Sequence, residues 1–157
     1  MNKLRIFIFS ATLLPSLTLG QGESVAVVYN SKLPASKGVA DHYAKLRHVP
    51  ENNLIGLPLS EGHTIPRVEF TETLEQPLAK ALAKRKLLNG RKGTVRFLLL
   101  CWGVPFRVNK DSTIPVPDGT PAPLQRNEAS VDSELALLPQ LGQAIERTSI
   151  IMNPVFN

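Results

Sequence analysis

The stretch TVRFLLLCWG, residues 94–103, decides how this chain folds. From Val95 to Trp102 only Arg96 interrupts an apolar run. The run is too short for a buried helix and is closed by Gly103, which is the pattern of a strand packed on both faces and suited to the middle of a sheet. Such a strand needs neighbours, and two candidates lie upstream. Ser24-Val-Ala-Val-Val-Tyr-Asn30 is a β-branched run stopped by Asn30-Ser31, and Asn53–Leu57 is followed by Pro58, which cannot donate to a ladder and so favours a sheet edge.

Helical patterns separate the three strands. Ser36 is placed to cap a helix running to Arg47, with Val39, Ala40, Tyr43, Ala44 and Leu46 as its inner face, and His48-Val49-Pro50 ends it. Between Pro66 and Leu88 the residues Phe70, Leu74, Leu78, Ala81, Leu82 and Leu88 recur at helical spacing. Pro77 is expected to break or kink this helix, and Asn89-Gly90 to stop it. Strand, helix, strand, helix, strand implies right-handed crossovers. The expected fold is therefore α/β, a parallel sheet of order 2-1-3 flanked by helices. That order leaves the most apolar strand at an edge, which only Ser149–Met152 would cover, and briefly. The sheet is accordingly expected to be incomplete at the C-terminus, with the chain as the front part of a longer protein.

Composition narrows the class. With 157 residues, 43% hydrophobic and 20% charged, the chain has room for one domain with a real core. Lys3 and Arg5 precede an apolar run from Ile6 to Leu19 that ends in Thr18-Leu19-Gly20, the pattern of a secretory leader. The run is interrupted by Pro15 and is shorter than the ~20 apolar residues that a spanning helix needs. Residues 1–20 are thus expected to be a signal peptide and residues 21–157 a secreted or periplasmic domain, with no stable membrane insertion after cleavage. Without Lys3 and Arg5, the 16 basic and 13 acidic residues that remain give a charge of +3, too mild to suggest nucleic acid. Lys84, Arg85 and Lys86 suit a helix C-terminus. The single cysteine, Cys101, allows no internal disulfide. No glycine-rich nucleotide loop, H-E-x-x-H or paired-cysteine motif is present, so neither a cofactor nor a metal site is expected.

Chemistry concentrates in few places. Asn30 and Ser31 stand at the carboxyl end of the first strand, beside Ser36 and Lys37, where a helix start would hold an anionic group; the same residues also suit a plain strand exit. Cys101, with His42, His48 and His63 available, invites a nucleophile reading, but in an apolar strand it behaves more simply as a small hydrophobe. Residues 109–127 hold four prolines and no periodic apolar face, a loop long enough to be a lid or binding segment. That loop delivers ASVDSELALL, residues 129–138. Either Ser130 caps a helix whose first turn carries Asp132 and Glu134, or the segment is extended and the two carboxylates share a face as catalytic groups. In a helix, residues two apart point about 200° from each other and cannot flank one bond. Asp132 and Glu134 are the catalytic candidates, and Asn30, Ser31 and Ser130 the ligand-binding ones.

Three stretches, Val27-Val-Tyr-Asn30 with Ser31 and the later LRHVPENNLIGL (46–57), GVPFRV (103–108) and ASVDSEL (129–135), resemble an uncharacterised family of exported bacterial proteins. The first half is also similar to the sheet of gingipain-type, caspase-like cysteine peptidases, where a histidine follows the third strand and a cysteine the fourth. Here the third strand ends in Cys101-Trp102-Gly103 and no cysteine follows. The resemblance therefore implies a caspase-like or flavodoxin-like sheet without peptidase activity. The leading expectation is an exported, hydrolase-related domain with an acidic site; the alternative is a non-catalytic extracytoplasmic binding or scaffold module. Its partner would be a small molecule or a protein.

Overall fold

The computed structural model describes residues 21–89, 92–116, 118–121 and 125–140. The leader and the Ser149–Met152 strand lie outside the described residues. A 3₁₀ turn at Gln21–Ser24 leads into β1 (Val25–Asn30), α1 (Pro34–Arg47), a second 3₁₀ turn and β2 (Leu54–Leu57). After the two-residue β3 (Thr64–Ile65) comes a helical stretch made of α2 (Arg67–Glu69), a π segment (Phe70–Glu75) and α3 (Gln76–Lys84). A hairpin, β4 (Leu88–Asn89) and β5 (Lys92–Gly93), precedes β6 (Phe97–Leu100). The short β7 (Arg107–Val108) and β8 (Ala129–Ser130) lead to α4 (Val131–Leu135).

The main sheet is parallel, in the order β2-β1-β6, which is the expected 2-1-3. Val27 sits opposite both Leu54 and Leu99. Alternation along β1 turns Ala26 and Val28 to a large core with Ile55, Phe70, Leu74 and Leu78, and Val27 to a smaller one with Ala40 and Ala44 of α1. Helices thus cover both faces. A second sheet, β3-β7-β8, stands beside the first; in it β7 runs parallel to β3 and antiparallel to β8. The sequence pattern did not announce it, because two-residue strands leave no periodicity to detect.

Three expectations need correction. Ser36 does not cap α1: the N-cap is Leu33, without a side-chain bond, while Ser36 is fully buried and accepts the Asn30 N–H at 3.0 Å. The stripe of α1 on the sheet is Ser36, Ala40 and Ala44, spaced by four, and its small side chains let the helix lie close to β1. Val39 and Leu46 fall off that stripe and are exposed.

Nor does the second helix reach Leu88: α3 ends at Lys84, and Leu88 and Asn89 form β4. The irregularity expected at Pro77 is the π segment just before it, where the Gln76 N–H reaches back five residues to the Thr71 carbonyl before regular α-helix resumes as α3. Phe70, Leu74, Leu78 and Leu82 remain one buried stripe.

The third correction concerns residues 94–103. The regular strand covers only Phe97–Leu100, and among the described residues only β1 pairs with it. The interior position belongs to β1, as the order 2-1-3 implies, so the correction concerns the length of the strand. The long apolar run arises because its ends serve the cores as turns and extensions, Val95 in the large core and Cys101 in the small one. Phe97, between them, is 64% exposed.

Candidate functional site

The carboxyl ends of β1 and β6 meet at a turn built around Gly103. Its φ of +89° belongs to the left-handed region, and a Cβ there would come within 2.8 Å of the Leu33 side chain. Asn30 fixes this turn from across the sheet: its Nδ2 donates to the Gly103 carbonyl at 3.0 Å and its Oδ1 accepts the Lys32 N–H at 3.1 Å. Asn30 is fully buried and its polar atoms are spent on backbone. Ser31 is exposed and its N–H donates to the Leu57 carbonyl, closing the turn over β2. These two residues hold the end of the sheet together.

ASVDSEL is a helix start. Ser130 is the N-cap of α4: its Oγ accepts the Ser133 N–H at 3.1 Å and lies 2.7 Å from the Ser133 hydroxyl. The helix sends the two carboxylates apart. Glu134 is buried, and its Oε1 takes a 2.9 Å hydrogen bond from Arg67 of α2. Arg67 also donates to the Asn127 carbonyl. The Asn127 side chain in turn exchanges hydrogen bonds with the Asp111 backbone, donating to its carbonyl at 2.6 Å and accepting its N–H at 2.9 Å, so the two ends of the proline-rich loop are clipped together at its base. The Thr113 hydroxyl and N–H both bond the Asp111 carboxylate and hold its pKa below the usual range.

Asp132 is left exposed, facing two hollows along β6. One, of about 810 Å³, lies at the carboxyl edge of the sheet, where open α/β folds place their ligands. Leu33, Glu61, His63, Trp102 and Phe106 line it. The His63 and Phe106 rings pack at 5.4 Å, and Trp102 is 64% exposed. Cys101 also borders this cleft. Burial raises its thiol pKa, the opposite of the lowering that activates a cysteine. Among the described residues no cluster of His, Cys, Asp and Glu could hold a metal ion, and no helix is long and apolar enough to cross a membrane.

The sequence-derived candidates are therefore not gathered in one place. Asn30 and Ser31 secure the sheet, Ser130 caps a helix, Glu134 is paired inside, and Asp132 alone faces open space. Three residues that matter were not singled out. Arg67 carried a signal: a cation in the first turn of a helix opposes the helix dipole and needs an anionic partner. Trp102, the one tryptophan of the chain, stood at a strand's carboxyl end but resembled core. Phe106 gave no signal, since its pairing with His63 spans two loops.

No family model, curated protein or solved structure matches this chain.

Proposed function

We propose that this chain is a non-catalytic, extracytoplasmic binding module whose cleft at the carboxyl edge of the sheet receives a ligand with a flat apolar body and a cationic group. The observation that carries this is the splitting of the ASVDSEL carboxylates, Glu134 paired with Arg67 inside and Asp132 outside. A hydrolytic pair must address the same bond, and a helix start keeps these two apart. The exposed Trp102 and the His63–Phe106 rings offer flat walls, and Glu61 a charge for a cation. Export rests on the pattern of residues 1–20, and the parallel order β2-β1-β6 supports a caspase-like or flavodoxin-like sheet.

Trp102 makes the test direct, because its fluorescence reports on the cleft alone. Titration with the dipeptide amide Arg-Phe-NH₂ is expected to give a saturable change, and Phe106→Ala to weaken it about tenfold, as loss of an aromatic wall does. An acidic analogue, acetyl-Asp-Phe, should give none. No saturable change with the cationic peptide overturns the proposal. Cleavage of a peptide library by the purified chain would establish the hydrolase reading instead.

A further inference from the structure

The two outer strands of the main sheet are finished differently. Beside β2, the Arg85 guanidinium donates to the Asn52 and Leu54 carbonyls at 2.8 and 2.7 Å, and Pro58 follows the strand. That edge is blunted against further pairing. On β6 nothing comparable exists among the described residues. Cys101 donates to Val28 of β1, so alternation turns the backbone N–H and C=O groups of Leu98 and Leu100 to the opposite side. Phe97 is 64% exposed beside them, and no charge or proline lies within Phe97–Leu100. This is an edge built to accept a strand.

The charges flanking β6 select the strand it accepts. Arg96 is exposed just before its amino end, while Asp132 is exposed beside its carboxyl half; both line the same groove of about 610 Å³ with Phe97, Leu98 and Leu100. A copy of β6 laid antiparallel puts its amino end against this carboxyl half. Arg96 of each chain then meets Asp132 of the other, twice over, about a two-fold axis. A parallel arrangement would set Arg96 against Arg96. The two-fold contact is also closed, so it makes a dimer and does not propagate into a fibre.

We propose that a second copy of this chain docks on the β6 edge, β6 pairing antiparallel with β6 to form one continuous six-stranded sheet, with reciprocal Arg96–Asp132 contacts fixing its direction. The inference goes beyond the ligand proposed above, and the edge shares Leu98, Leu100 and Asp132 with that cleft.

The test is sedimentation equilibrium of the full chain. It should give a dimer. Arg96→Asp and Asp132→Arg, each alone, should weaken the dimer about tenfold or more, because each sets like charges against each other twice. An equimolar mixture of the two single variants should restore it. In the mixed pair the introduced aspartate of one chain meets the introduced arginine of the other, and the remaining native Arg96 and Asp132 meet across the same interface. Only contact between chains yields that rescue. A monomer at all concentrations, as when residues after 140 or a further partner cover β6, overturns the proposal; so does a dimer indifferent to both substitutions, or a mixture that stays dissociated.

Discussion

Asn30 and Glu134 are both buried polar side chains, yet they are held in opposite ways. Asn30 is neutral and complete: its amide serves Gly103 and Lys32, and its backbone N–H is taken by Ser36. Glu134 is charged and incomplete: one oxygen bonds Arg67, whereas Oε2, like Arg67 Nε, is buried with no hydrogen-bond partner among the described residues. A neutral latch costs little to bury once its bonds are made. An ion pair must offset the dehydration of two charges, so its presence is weak evidence of stability although breaking it is costly. The first latch therefore stabilises the sheet, and the second fixes an arrangement, binding α2, α4 and the base of the proline-rich loop into one geometry.

The sharpest way to break this comparison is to remove each latch. Glu134→Ala leaves the Arg67 guanidinium in a site only 18% exposed, with the Asn127 carbonyl as its remaining partner. It is expected to cost about 3 kcal/mol in urea denaturation, at the low end of what an unpaired buried charge costs because some water reaches it. Replacing both partners, as Arg67→Met with Glu134→Leu, should recover most or all of that loss. If the double variant is no more stable than Glu134→Ala, the pair is a stabilising element in its own right and the contrast with Asn30 disappears.

For Asn30 the expectation is smaller and has no apolar rescue. Asn30→Ala strands the Gly103 carbonyl, whereas the exposed Lys32 N–H can turn to water, so the cost is about 2 kcal/mol. Asn30→Leu should do no better than alanine, since the carbonyl it faces belongs to the backbone and cannot be substituted away. Recovery of wild-type stability by leucine would show that the latch acts through volume and not through its hydrogen bonds.

The same two residues show what could be learned before any coordinates. The sheet order followed from the alternation of strand and helix patterns, and Asn30 was placed at a strand's carboxyl end by its neighbours in the chain, because strands and crossovers are local signals. Its partner Gly103 lies 73 residues away, and nothing in the spacing connects them. For ASVDSEL the local pattern offered a helix start and a site together. What separates the two is Arg67, 67 residues upstream of Glu134. The small sheet β3-β7-β8 that aligns these segments is likewise built wholly from distant pairs. The edge position of β6 was foreseen in the order 2-1-3, but the exposure of Phe97 was not, since an apolar run does not tell which of its residues meets solvent.

The smallest expected effect bears on the capping bond that splits the two carboxylates. Ser130 Oγ satisfies one of the free N–H groups at the start of α4, and the residue is exposed, so no cavity follows its truncation. Ser130→Ala should therefore cost about 1 kcal/mol, and Ser130→Asp should keep the bond and add a charge favourable to the helix dipole. Ser130→Gly should cost only a few tenths of a kcal/mol, since glycine is tolerated at the N-cap while offering no side chain. The order Asp, Ser, Gly, Ala in urea midpoints is the signature of a cap. A binding hydroxyl would instead leave all four midpoints alike and show its loss in ligand affinity. In that case ASVDSEL would be a site after all, and the division between a neutral latch at Asn30 and a structural ion pair at Glu134 would have to be redrawn around a functional helix start.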